Sequence, residues 1–436
     1  MGAIAPQLDT IIGSNRVCGW ENLDFGWKNR ISRAIAPGVI PECVVFPQTP
    51  EELSTVVAAA KSNGWRLLPC GNGSKLHWGG VATAADLVVS TQRLDRVIEH
   101  AVGEFTLTVE AGAKLSEIRT LLAKENQFLA LDPSYENAAT LGGIVATGDT
   151  GSWRHRYNSV RDRVLGISFA RSDGKLAKAG GRVVKNVAGY DLMKLLTGSY
   201  GTLGIISQLT FRLYPIPDDS ATLVLTGETE AIATAKRTLL ASGLTPTAID
   251  LLSPNLVREV DIDRGNLGLL VRLQTVPESV QDQSEKLEAI ARELGLKSTR
   301  FRDREEELLG QKITDAMDDR DTETAIVCKV GVLPTATISL LENLASLFGE
   351  AAMARIYIGS GLGMVKIEEL QDRDRLLKLR QFCQENRGFL TLLSASKGVK
   401  QAIDIWGYNG NAIELMQNIK NQFDPDGLLN RDRFVV

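Results

Sequence analysis

Twelve glycines fall within residues 142–204, 12 in 63 positions, about twice the density of the whole chain with its 40 in 436. Glycine in the interior of a helix or strand costs roughly 0.5–1 kcal/mol against alanine. So rich a stretch does not build long regular elements without a reason for the missing side chains. Either it is a turn-rich β region, or its backbone has to lie against a ligand. Glycine content alone leaves both readings open.

The order of the glycine motifs narrows the choice. A short apolar strand over Trp65–Leu68 runs into Pro69-Cys70-Gly71-Asn72-Gly73-Ser74. This is not the dinucleotide fingerprint GxGxxG, because Leu76 stands where the third glycine belongs and no helix begins at once. The phosphate-binding pattern GxxxxGK[ST] is absent too. A Gly-x-Gly-Ser turn after a buried strand still offers converging N–H groups that suit a pyrophosphate, although an ordinary turn has the same residues. Thr140-Leu141-Gly142-Gly143-Ile144-Val145-Ala146-Thr147-Gly148 predicts a short helix starting close against something flat or charged. A tightly packed helix–strand crossing is the other reading. Gly198-Ser199-Tyr200-Gly201-Thr202-Leu203-Gly204-Ile205-Ile206 then follows Lys185-Asn186-Val187-Ala188-Gly189-Tyr190-Asp191-Leu192 at short range.

Around these motifs the chain has a legible layout. Thr49 as cap, Pro50 at the first helical position and Glu51 and Glu52 in the first turn predict a helix ending at Gly64. Strands are predicted over 87–90, 105–111, 165–171 and 205–214, with a hairpin turn at Ser172-Asp173-Gly174-Lys175. The Pro215–Ser220 stretch, PIPDDS, is the best domain boundary. Beyond it strands alternate with helices of 12 or more residues, which predicts a sheet with helices on one face. The domains expected are a 1–36 extension, 37–217, 218–395, and a 396–436 segment returning to the first domain.

Several functions are excluded at this stage. A net charge of −4 and a pI near 5.7 lack the basic field that nucleic-acid binding requires. Five cysteines at wide spacings without a CxxC pair argue against a disulfide framework, a structural zinc site and a cysteine-ligated iron–sulfur cluster. No window reaches the ~18 apolar residues of a membrane span, and the N-terminus has no secretory pattern. A soluble, cytoplasmic protein is expected, associated with membranes only through partners.

The order PCGNGS, TLGGIVATG, YNSVRDRVLG, KNVAGYDLMKL, GSYGTLGII and a final FDPDGLLN resembles the FAD-binding PCMH-type (vanillyl-alcohol oxidase-like) flavoproteins. Within them it is most similar to the GlcE-type FAD-binding subunits of bacterial glycolate oxidase, or glycolate dehydrogenase. The resemblance implies an α+β fold: an FAD domain of two α/β subdomains over 37–217 plus an α/β cap. It implies that Gly71, Asn72, Gly73 and Ser74 form one half of a pyrophosphate cradle, and Thr140, Gly142, Gly143 and Thr147 the other. Asp132 and Pro133 are implied beside the flavin, Gly204, Ile205 and Ile206 at the adenine end, and Asn430 close to the isoalloxazine. Main chain facing phosphates would then account for the glycine excess.

Two departures refine what is carried over. Relatives that tether FAD covalently use a His in the first loop and a Cys in the second. Here Ser74 stands in the first place and no Cys lies between Cys70 and Cys328, so FAD is expected to be non-covalent. Relatives that oxidise D-2-hydroxy acids on their own flavin carry a His-rich metal site in the cap, whereas the three histidines here are His77, His100 and His155. No metal is expected, and the catalytic residues stay unassigned. His77 and His155 are candidate bases, and Arg154, Arg156, Arg161, Arg431 and Arg433 candidate carboxylate clamps. The expected role is an FAD-binding oxidoreductase subunit in the oxidation of glycolate or a related 2-hydroxy acid. Its expected partners are a second flavin subunit and an iron–sulfur subunit. A self-sufficient D-2-hydroxyacid dehydrogenase acting on D-lactate or glycolate is the alternative, and a flavin-free scaffold the lesser one.

Overall fold

Helix Pro50–Asn63 forms as its sequence dictates. Thr49 Oγ1 accepts from Glu52 N at 3.1 Å, Pro50 occupies the first turn, and Gly64 closes the helix at φ +69. Leu53, Val56, Val57 and Ala60 are buried at helical spacing. They cover one face of a four-stranded sheet ordered Val17–Gly19, Cys43–Val45, Leu87–Ser90, Leu67–Cys70. The three inner pairings differ: the first is antiparallel and the other two parallel.

The computed structural model describes residues 4–182, 189–263, 266–318, 324–408 and 410–434. The Lys185–Ala188 part of the KNVAGYDL motif lies outside them. The chain divides into two units: Met1–Thr150, Asn158–Ile216 and Tyr408–Val436 in one, Gly151–Tyr157 and Pro217–Gly407 in the other. The fold is α+β. The opening 36 residues, which carry no strong period, nevertheless contain helices Ile4–Ile12 and Phe25–Ser32, the second capped by Asp24. Leu8 and Ile12 of the first join the core beneath Pro50–Asn63.

The first unit holds a second sheet, antiparallel throughout, ordered Val97–Ala101, Thr106–Glu110, Ile205–Arg212, Val164–Ala170, Leu176–Gly180. Leu107, Val109, Ile167, Phe169, Leu209 and Phe211 form its core with helices Leu115–Ala123 and Leu141–Thr147. The segment after helix Ala412–Phe423 returns to the four-stranded sheet. Leu67 N donates to Leu428 O at 2.8 Å and Asn430 N to Leu67 O at 2.9 Å, a parallel addition at that edge.

The second unit is built on eight antiparallel strands. Successive residues point to opposite faces. Leu223, Leu225, Leu269 and Val271 meet helices Thr229–Ala241 and Pro277–Glu293, and the same cluster includes residues of Thr337–Phe348 and Arg373–Glu385. Val224, Leu252, Leu270 and Met353 face the other way, onto Leu256 and Val257 of Pro254–Glu259 and Leu309 and Ile313 of Asp303–Met317. Helices therefore lie on both faces rather than one. The run Asp303-Arg304-Glu305-Glu306-Glu307 hides the sparse apolar stripe of that last helix from a periodicity reading.

Candidate functional site

Within the first unit, the loop after strand Leu67–Cys70, the start of helix Leu141–Thr147, the turn before strand Ile205–Arg212 and the returning C-terminal segment enclose a cavity of about 710 Å³, counting space open to solvent. Gly71, Asn72, Gly73 and Ser74 line it, as do Thr140, Gly142, Gly143, Thr147, Gly204, Ile205, Ile206 and Asn430. Motifs far apart in sequence are brought to one wall. Asp132 and Pro133 are not among the lining residues; they lie in the loop that follows strand Gln127–Phe128.

The two halves of the wall differ in what they offer. Among the described residues, the N–H groups of Asn72, Gly73, Ser74 and Lys75 have no hydrogen-bond partner. Gly73 holds φ +74, a left-handed turn that presents successive donors in one direction. The helix start is already committed. Leu141 N donates to Ala113 O at 2.9 Å, Gly142 N to Ala111 O at 2.7 Å and Ile144 N to Thr140 O at 2.9 Å. Only the Gly143 N bond to Thr140 Oγ1, at 3.3 Å, is long.

The glycines answer to protein packing as much as to an empty space. A Cβ on Gly71 would run into the Thr140 hydroxyl. One on Gly142 would lie 2.7 Å from Ala111 Cβ, and one on Gly204 2.7 Å from the Phe169 ring. The tight crossing is therefore real: the missing Cβ atoms at Gly71, Gly142 and Gly204 allow close approach of protein segments around the cavity.

Polar groups left unsatisfied mark where a ligand belongs. Asn430, at φ +51, donates from Nδ2 to Tyr200 O, while its Oδ1 is buried without a partner. Arg433 is 3% exposed; its Nη1 and Nη2 donate to Ala34 O at 3.2 Å and Trp78 O at 3.0 Å, and Nε is left over. Burial pushes its pKa down, although a guanidinium stays charged. Lys75 Nζ lies 2.9 Å from Asp149 Oδ2, both almost fully buried. Tyr200 stacks on Phe434 at 5.6 Å. The Cys70 thiol, pushed up to about 12 by burial, is neutral. Unpaired N–H donors, a buried guanidinium with an unpartnered Nε and an orphaned amide oxygen along one cavity fit a dinucleotide with a charged diphosphate and a hydrogen-bonding ring.

Of the arginine candidates, only Arg433 lines the cavity; Arg156, Arg161 and Arg431 are exposed. His77 is buried against Tyr135, with Nε2 3.0 Å from the hydroxyl and an edge contact to Trp78. His155 belongs to the second unit, half-buried against Gly359. Burial lowers its pKa, partly countered by Asp250. Asp250, fully buried, accepts from Ser152 Oγ at 2.5 Å and Arg355 Nε at 2.8 Å. Lys75 and Tyr200 escaped the sequence reading. Lys75 follows the predicted loop directly, and its burial, which would have singled it out, is a tertiary property.

Comparison with known proteins agrees with this geometry. Residues 41–180 match the FAD binding domain and residues 406–433 the C-terminal domain of FAD linked oxidases. Glycolate oxidase subunit GlcD of Bacillus subtilis is 24% identical, over 95% of this chain and 94% of its own length. Glycolate oxidase subunit GlcE of Escherichia coli is 38% identical over 35% of this chain and 43% of its own length. The mitochondrial D-lactate dehydrogenase [cytochrome] of Arabidopsis thaliana is 30% identical over 59% and 45%. The matches to these last two thus span less than half of each relative. Among solved structures, 4-ethylphenol oxidase from Gulosibacter chungangensis aligns with a TM-score of 0.77 at 14% identity, covering 99% of this chain and 96% of that one. p-Cresol methylhydroxylase aligns at 0.74 and 13%, with the same coverage. At such identities the likeness is one of fold.

Proposed function

We propose that this chain, an FAD-binding oxidoreductase of the FAD-linked oxidase kind, holds its FAD non-covalently in the first unit's cavity and serves as a subunit of a glycolate oxidase-type assembly. The observation that carries the reading is the convergence of the free Asn72–Lys75 donors with the buried, unsatisfied Asn430 Oδ1 and Arg433 Nε on one space. When bound, the flavin supplies hydride and electron transfer. The chain's own residues bind and orient it. The first loop receives the diphosphate, Arg433 offsets part of its charge beside the Lys75–Asp149 pair, and Asn430 offers an acceptor to the ring. In this reading Gly142, Gly143, Thr140 and Thr147 form the opposite wall by close approach, and Gly204, Ile205 and Ile206 line the adenine end. Asp132 and Pro133, in the loop after strand Gln127–Phe128, run beside the flavin in this reading.

Glycolate, or a related 2-hydroxy acid, is the substrate that the GlcD and GlcE likenesses favour. The chain's three histidines end at His155, so a histidine-built metal site in the later residues would lack its ligands. That favours a partner flavin subunit for substrate and an iron–sulfur subunit for electrons. A self-sufficient D-2-hydroxyacid dehydrogenase is the second reading, favoured by the likeness to the Arabidopsis enzyme and by the Ser152–Asp250–Arg355 cluster.

An anaerobic flavin spectrum of the purified chain, before and after glycolate and D-lactate, separates the two. A protein that stays yellow and oxidised supports the subunit. Bleaching by either acid supports the self-sufficient enzyme. A colourless protein that takes up no added FAD overturns both.

A further inference from the structure

Far from the flavin cavity, the first unit buries a positive charge that has no ion-pair partner among the described residues. Arg163 leads into strand Val164–Ala170, and Arg212 ends strand Ile205–Arg212 beside it, with Arg212 N donating to Arg163 O at 3.0 Å. Both guanidinium carbons lie 5.2 Å from the centre of the Tyr214 ring. Arg163 is only 4% exposed, and its Nε and Nη1 are buried without a hydrogen-bond partner. Among the described residues neither arginine has an ion pair. The adjacent acid, Asp162, is turned to Ser159, accepting from its N at 3.1 Å and its Oγ at 2.7 Å.

A buried, unpaired charge is strongly unfavourable, and a ring face compensates for only part of that. Bringing a second cation to the same ring adds repulsion. Burial and Arg212 together push the pKa of Arg163 down. The planar donors of a guanidinium match the two oxygens of a carboxylate or phosphate. Arg212 is exposed, whereas Nε and Nη1 of Arg163 are covered, so an anion reaches them only as the Arg212 side chain moves aside.

We propose that Arg163 and Arg212, at the edge of Tyr214, form a binding site for a small oxyanion of the carboxylate or phosphate type. Ile205, at the other end of the strand that Arg212 closes, lines the cavity, seven residues or roughly 23 Å away. The site is separate from the flavin site and independent of the function proposed above. Its occupant is a free ion or an acidic side chain of a partner protein; the chemistry recognised is the same.

The test uses the full chain with FAD, unfolded thermally at constant ionic strength while chloride is replaced by sulfate. The wild-type midpoint is expected to rise saturably, by about 2–4 °C, as for a site filled several-fold above its Kd. Arg163→Met removes the response and, in chloride, unfolds no lower than wild type, because an uncompensated charge has gone. Arg212→Gln, at an exposed position, weakens the response and covers the case in which the first variant does not fold. Acetate and a capped tetraglutamate peptide distinguish the sources: tighter binding of the peptide identifies a partner's acidic segment, and equal or weaker binding a free ion. No rise in wild type beyond that in chloride, or an equal rise in Arg163→Met, overturns the site.

Discussion

Lys420 and Asp424, one turn apart at the end of helix Ala412–Phe423, form a buried ion pair that ties the C-terminal segment to the turn before strand Ile205–Arg212. Lys420 Nζ also donates to Thr202 O and Leu429 O, each at 2.9 Å. Asp424, 1% exposed, accepts from Leu428 N at 3.0 Å and Leu429 N at 2.7 Å. Both attached segments line the cavity, through Gly201 and Asn430.

Lys420→Met leaves Asp424 buried with its charge unbalanced, and about 3–5 kcal/mol of stability is expected to be lost. Urea unfolding of the first unit's transition measures it. A loss under 1 kcal/mol would show the pair to be replaceable. FAD content per chain should fall in parallel, because Asn430 loses its anchor.

Gly142→Ala places a methyl 2.7 Å from Ala111 Cβ, and Gly71→Ala one against the Thr140 hydroxyl. Each is expected to cost about 1–3 kcal/mol through overpacking and to lower FAD retained on gel filtration. Gly243→Ala, with nothing within 4 Å, is the control and should do neither.

Asn430→Gly keeps the left-handed backbone but removes both the Nδ2 bond to Tyr200 O and the unsatisfied Oδ1. Nearly unchanged secondary structure with FAD binding weakened about tenfold or more is expected, of the size of one lost hydrogen bond to a buried group. Titrating the apoprotein with FAD by fluorescence quenching reads it. Unaltered affinity removes Asn430 from the site.

His155 gives a pH dependence of known sign. Burial holds its folded pKa below the ordinary 6.5. Between that lower value and 6.5 the unfolded chain carries more of the proton, so this contribution to stability is present above 6.5 and lost as pH falls through the folded value. His155→Gln should flatten the stability–pH profile in that window. An unchanged slope assigns it to other groups.

Much of the site was legible because its signals are local. Pro50, Gly64 and the Thr140 cap act within a few residues, and glycines on converging segments announce close approach before any partner is known. What escaped depends on distant contacts. Gly142 needs Ala111, which no local pattern names. The burial of Lys75 and the freedom of Asn430 Oδ1 exist only after the tail has packed. In the second unit, the helices against Val224 and Leu270 were hidden for different reasons, Asp303–Met317 by its acidic first turns and Pro254–Glu259 by its six-residue length. The Asp132–Pro133 position rested on family likeness, and the cavity does not include it.

The parallel pairing of Leu428–Asn430 beside Leu67 sets an order of events during synthesis. The loop at Gly71–Ser74 emerges roughly 350 residues before the segment that completes its wall. Nascent chains therefore carry an open half-cradle through most of translation, and cofactor capture has to wait for a late, long-range closure. Chains interrupted before Leu428 would keep every glycine motif and still lack the wall that Asn430 and Arg433 provide.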